Sequence, residues 1–120
     1  MWRAIGLWKV RRVWDMDRKD DNVLKAVAHF LEEVEGSGIR LVSAYLYGSH
    51  AEGRARPDSD IDVALIAEDF TGDLLEDHRK IVDALLRSDP RIEPVRFRPE
   101  QFCDEHPLAW EIKTKGVKLH

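Results

Sequence analysis

Two aspartates one residue apart, Asp60 and Asp62, stand immediately before the apolar run Val63 to Ala67. Successive strand side chains point to opposite faces, so both carboxylates fall on one face at the N-terminal edge of a strand. Ile61 and Val63 turn the other way. Two like charges that close repel each other unless one takes up a proton or a cation sits between them. Ligation by carboxylates alone favours hard ions, Mg²⁺ or Mn²⁺, which keep waters and complete their shells with substrate phosphates.

Upstream, an apolar stretch ends in Gly48-Ser49. Glycine permits close approach of the backbone, and Ser at the start of a helical turn offers amide groups and a hydroxyl to phosphate oxygens. Gly53 adds a second flexible point, and Arg54 and Arg56 supply positive charge. A lone Gly-Ser is usually a turn, and a lone Asp-x-Asp is usually a solvated strand end. Together they suit a nucleoside triphosphate held at one end and a divalent cation at the other.

The elements around these residues follow from periodicity. Val23, Leu24, Val27, Phe30, Leu31 and Val34 recur at helical spacing, with Asp20 or Asp21 as a cap and Gly36-Ser37-Gly38 as the stop. "IRLVSAYLY" reads as a strand ending at Gly48, and a short helical turn is expected near Ser49. "RPDSD" is turn chemistry, and "IDVALIA" is a short apolar strand, central in a sheet. Leu74, Leu75, His78, Ile81, Val82, Leu85 and Leu86 mark a second amphipathic helix capped by Asp73. "RIEPVRFRP" alternates as a third strand, which Pro94 confines to an edge or a bulge. One or two short helices follow, then Gly116 as a cap and "VKLH" as a last short strand. The expected fold class is α/β (α+β): a small mixed β-sheet flanked by helices, mainly on one face.

With 120 residues and a net charge of −4, the composition is that of a globular chain, not of a basic nucleic-acid binder. No direct DNA binding is expected. Cys103 is the single cysteine, which excludes an internal disulfide and a Cys-based zinc site. No apolar run is long enough for a membrane span, and the start lacks the pattern of a signal peptide, so a cytoplasmic protein is expected. Residues 1–18 are basic and carry Trp2, Trp8 and Trp14. They read as an extension preceding a domain over 19–120: a partner-binding arm, a membrane-surface segment, an added strand, or a loosely attached tail.

Gly48-Ser49, ten residues, then Asp60-x-Asp62, with Ala51, Gly53, Ser59 and the apolar run matching, resembles the DNA polymerase β-like nucleotidyltransferase superfamily. With the short chain, it is most similar to the minimal nucleotidyltransferases, often encoded beside a HEPN-domain partner. The resemblance spans about residues 20–119 and is strongest over 45–66. It implies a polymerase β palm-like fold, with Gly48, Ser49, Gly53 and Arg54 on the triphosphate. Asp60 and Asp62 would bind two metal ions, Mg²⁺ or Mn²⁺, with ATP as substrate. The superfamily usually adds a third carboxylate from a later strand, and Glu93 is the one acid inside the third expected strand. It is placed as metal ligand or general base, against the alternative of an ion pair with Arg91 or Arg96.

Other residues carry plainer readings. His29 and His78 fit partly buried helix positions, His50 could touch phosphate, and Glu52 faces solvent or pairs with Arg54. Trp110 reads as core or interface. Tyr45, Tyr47 and Ser43 share a strand face, with Tyr47 bordering the site. His106 and His120 have no ligand spacing.

By resemblance, the activity is Mg²⁺-dependent transfer of a nucleoside monophosphate, AMP from ATP, onto a hydroxyl of a partner macromolecule. The acceptor is expected to be a tyrosine of a HEPN toxin, since no acceptor-binding domain is visible in the sequence. The alternative is a non-catalytic antitoxin-like subunit acting by occlusion; a third reading is a nucleotide sensor. A permanent partner or homo-oligomer is expected from the small core and open strand edges.

Overall fold

The computed structural model describes residues 21–120, so the Trp-rich segment 1–18 and the cap at Asp20 lie outside the described residues. Helix α1, Asp21–Gly36, runs into strand β1, Leu41–Tyr47, and a long loop leads to β2, Ile61–Ala67. Helix α2, Leu74–Leu86, returns the chain to β3, Ile92–Phe97. A single 3₁₀ turn at Pro99–Gln101 precedes helix α3, Pro107–Lys115, and the short strand β4, Val117–Lys118.

These elements form one mixed sheet in the order β3-β2-β1-β4. β1 is antiparallel to β2 and to β4, whereas β2 and β3 are parallel, joined by α2 as the crossover. β2 is thus interior, as its unbroken apolar run predicts, and Pro94 lies on the edge strand, where its missing N–H costs no ladder bond.

Alternation along β2 divides the apolar side chains between two layers. Ile61, Val63, Leu65 and Ala67 pack with Val27, Phe30, Leu31 and Val34 of α1 and with Ile81 and Ala84 of α2. Ala64 and Ile66, on the opposite face, pack with Phe97 and with Ala109 and Ile112 of α3. Two helices cover one face and one short helix part of the other. The second face therefore has room at its end for polar groups, and that end carries Asp62.

Helix α2 departs from its expected face. Leu74, Leu75 and Leu86 are 77%, 63% and 79% exposed, and His78 is exposed too. The buried positions are Asp77, Ile81 and Ala84. Leu74 and Leu75 occupy the first turn of the helix and line a surface cavity with His78 and Arg96. Asp77 turns inward because it accepts hydrogen bonds from Thr71 N, Thr71 Oγ1 and Gly72 N at 2.8, 3.0 and 2.9 Å. Asp73 caps the helix as expected, accepting from Glu76 N at 2.9 Å. Trp110 is 51% exposed, which removes the core reading, because α3 buries Ala109 and Ile112 instead.

Candidate active site

The register places three site residues in one row. Tyr47 stands opposite Asp62 across the antiparallel pair, and Asp62 stands opposite Glu93 across the parallel pair. Paired residues in neighbouring strands project to the same face, so Tyr47, Asp62 and Glu93 line up side by side at one end of the α3 face. Asp60 follows two residues before Asp62, outside the regular strand. Asp60 and Glu93 are exposed and Asp62 half-buried, so the row opens to solvent.

The electrostatics agree with that geometry. Burial raises the pKa of Asp62, the charges of Asp60 and Glu93 raise it further, and His50 opposes them. Tyr47 is pushed up to about 12, by burial first and then by Asp62, Glu93 and Glu111. A site where neighbouring negative charges raise the cost of ionising Asp62 attracts a cation. Among the described residues, no three His, Cys, Asp or Glu side chains already form a ligand set for a metal ion. The donor chemistry fits Mg²⁺, which is usually held by one or two carboxylates together with waters and substrate phosphates.

Gly48 forms the other wall. Its φ of +74° is a left-handed conformation, and a Cβ there would collide with Oδ2 of Asp62 and lie 3.2 Å from its Cγ. The carboxylate occupies the space that any other residue at position 48 would fill. After Gly48 the chain makes the expected helical turn, although no regular helix forms. Ala51 N and Glu52 N donate to Gly48 O, and Arg54 N to Ser49 O, all at 3.1 Å. The amides of Ser49 and His50 stand ahead of these bonds, as first-turn amides do, at a position that favours an anion. Gly53 also has φ +74°, but nothing lies within 4 Å of its missing Cβ, so conformation alone requires glycine there.

Other residues singled out from the sequence are held as follows. Arg54 pairs with Glu52 at 3.5 Å on the outside of the turn, as expected for Glu52. His50 is 5% exposed, with Nε2 3.3 Å from Ser59 O; since a carbonyl only accepts, Nε2 is the donor. Its imidazole ties the two ends of the loop from within. His29 is exposed and meets Arg87 O at 3.0 Å. Arg91 turns away from Glu93, binding Asp89 at 2.9 Å and Pro57 O at 2.8 Å.

The sequence reading missed Glu111 and Asp89 as neighbours of the site, and it weighed Arg91 only as a partner of Glu93. Glu111 reaches the field of Tyr47 from α3, a packing that no local pattern encodes. Asp89-Pro-Arg91 carries a local signal, an acid and a base flanking a proline, which could have been read as a pair.

A model of the family described as "Polymerase beta, Nucleotidyltransferase" matches residues 25–119. The fold is also similar to the crystal structure of a candidate nucleotidyltransferase from Sulfolobus solfataricus, with a TM-score of 0.55 and 20% identity. That similarity covers 65% of this chain and 68% of the other, and concerns the fold alone. No curated protein matches the chain.

Proposed function

The chain belongs to the Polymerase beta nucleotidyltransferase family, and from that premise we propose that it transfers AMP from ATP, with Mg²⁺, onto a hydroxyl of a partner macromolecule. The observation that carries this reading is the row of Asp62 and Glu93 in ladder register, directly behind the Gly48-Ser49 turn. In it, Ser49 Oγ and the amides of Ser49 and His50 hold the triphosphate. Asp60 and Asp62 would hold the divalent metal ions, and Glu93 would either complete their shell or accept the proton of the attacking hydroxyl. When bound, the ions would neutralise phosphate charge and favour the ionised form of that hydroxyl. The acceptor oxygen attacks the α-phosphorus in line as the bond to pyrophosphate breaks. Tyr47, flanking Asp62 with a half-buried ring, limits water on that side of the carboxylate.

The proposed acceptor is a tyrosine of a HEPN-domain toxin, following the likeness to minimal nucleotidyltransferases. The direct test is calorimetric: ATP titrated with and without Mg²⁺ into wild type and Asp60→Asn/Asp62→Asn. Metal-dependent binding lost in the double variant supports the reading. It should be followed by label transfer from ATP labelled at the α-phosphate to the partner. Equal binding in both proteins would sink it.

Exposed Leu74, Leu75 and Trp110 favour a second reading, a subunit that neutralises a partner by occlusion. That reading predicts that the double variant still neutralises the partner.

A further inference from the structure

Asp62 stands in register between Tyr47 of β1 and Glu93 of β3, but Asp60 precedes the strand and has no such partners. What holds it comes from a residue distant in sequence. Arg91 grips the Pro57–Ile61 segment at both ends: its Nη1 donates to Pro57 O at 2.8 Å, and its own carbonyl accepts from Ile61 N at 2.8 Å. Its guanidinium is oriented by Asp89, through Nε to Oδ1 at 3.1 Å and Nη2 to Oδ2 at 2.9 Å. Asp89 Oδ1 also accepts from Arg91 N at 2.9 Å, so the acid holds both backbone and side chain of the arginine. Inside the same loop, His50 binds Ser59 O, and Ser59 Oγ accepts from Arg56 N at 2.8 Å.

We propose that Arg91, oriented by Asp89, is the positioning residue that sets Asp60 in register with Asp62 and Glu93. The proposal rests on the nucleotidyl-transfer reading of the site. Arg91 lies two residues before Glu93 on β3, so one side chain connects the loop bearing Asp60 to the strand bearing Glu93. A planar fork with several fixed donors can hold a carboxylate at two points and a carbonyl at a third, which a lysine ammonium on a flexible stem cannot match. Groups that orient metal-binding residues typically change metal affinity or activity about 10- to 100-fold when removed.

The test uses the full chain, Mn²⁺ as the probe ion, and Arg91→Ala, Arg91→Lys and Asp89→Asn. Arg87→Ala serves as the control, since Arg87 pairs with Glu33 away from the site. Hydrogen exchange without nucleotide should show faster exchange at Ser59, Asp60 and Ile61 in Arg91→Ala, with α1 and α2 unchanged. The Mn²⁺ concentration for half-maximal ATP binding should rise about 10- to 100-fold in Arg91→Ala. Arg91→Lys and Asp89→Asn should fall between it and wild type, and Arg87→Ala should change neither readout.

Unchanged exchange at Ser59 to Ile61 together with an unchanged Mn²⁺ requirement in Arg91→Ala would overturn the proposal. So would faster exchange spread evenly over the sheet, which would make Arg91 a general staple of the fold. Wild type lacking any Mn²⁺-dependent ATP binding would instead sink the nucleotidyl-transfer reading, and the positioning role with it.

Discussion

Gly48 and Asp62 occupy one space: the Asp62 carboxylate lies where a side chain at position 48 would begin. Gly48 also adopts φ +74°. Gly48→Ala therefore faces two penalties, a left-handed backbone and a collision that rotates the carboxylate away. The expected outcome is a loss of about 1–3 kcal/mol in stability, with metal-dependent ATP binding reduced further than the stability loss explains. Urea unfolding and calorimetry on the same samples check both.

Asp62 itself should oppose folding near neutral pH. Its pKa is raised by burial and by the charges of Asp60 and Glu93, so the folded state binds its proton more tightly than the unfolded chain does. Stability from this group is present below its unfolded pKa and lost as pH rises through the raised folded value. Asp62→Asn is expected to be at least as stable as wild type near neutral pH, with the advantage shrinking below about pH 4. Thermal melts across that range decide it. Addition of Mg²⁺ should raise the melting temperature of wild type but not of the variant.

Asp77 has the opposite sign. Burial would raise its pKa, but hydrogen bonds from Thr71 N, Gly72 N and the Thr71 hydroxyl, with Lys80 nearby, bring it below the ordinary value. Its contribution is complete above the unfolded pKa and is lost as pH falls through the depressed folded one. Asp77→Asn should cost about 1–3 kcal/mol near neutral pH, and the difference from wild type should narrow below about pH 4. Urea midpoints against pH give the answer.

Glu93 as proton acceptor and Glu93 as metal ligand predict different kinetics. If it accepts the proton, Glu93→Gln lowers kcat by about 10²–10⁴ with little change in the Mg²⁺ requirement. As a ligand, the same change raises the Mg²⁺ needed for half-maximal rate by about 10- to 100-fold. Initial rates over a Mg²⁺ series distinguish the two.

The leucines that helical spacing assigned to the core of α2 should tolerate polar replacement. Leu74→Ser and Leu75→Ser are expected to shift stability by no more than about 0.5 kcal/mol each, as exposed positions do. Ile81→Ala, at a fully buried position, should cost about 2–5 kcal/mol. Chemical denaturation of the three variants is sufficient.

Much was legible before folding. The apolar run of β2, the helical spacing of α1, the Asp73 cap and the edge placement of Pro94 all depend on short-range rules: side-chain period, cap chemistry and a missing N–H. The likeness of Gly48-Ser49 and Asp60-x-Asp62 to a family pattern is equally local, because a turn and a strand end each lie within a few residues. The face of α2 was misread because spacing gives a stripe but not what covers it. Leu74 and Leu75 are left exposed in the first turn, while Asp77 is drawn inward by Thr71 and Gly72.

The sequence by itself determined which residue types are available for the chemistry and on which strands they lie. Tertiary structure alone decided that Tyr47, Asp62 and Glu93 share one row, because strand order and register arise from packing α1 and α2 on one face and α3 on the other. It also decided that Arg91 turns to Asp89 and Pro57 rather than to Glu93. The partners of a charged side chain depend on which backbone carbonyls and carboxylates the fold brings within reach, and those are distant in the chain.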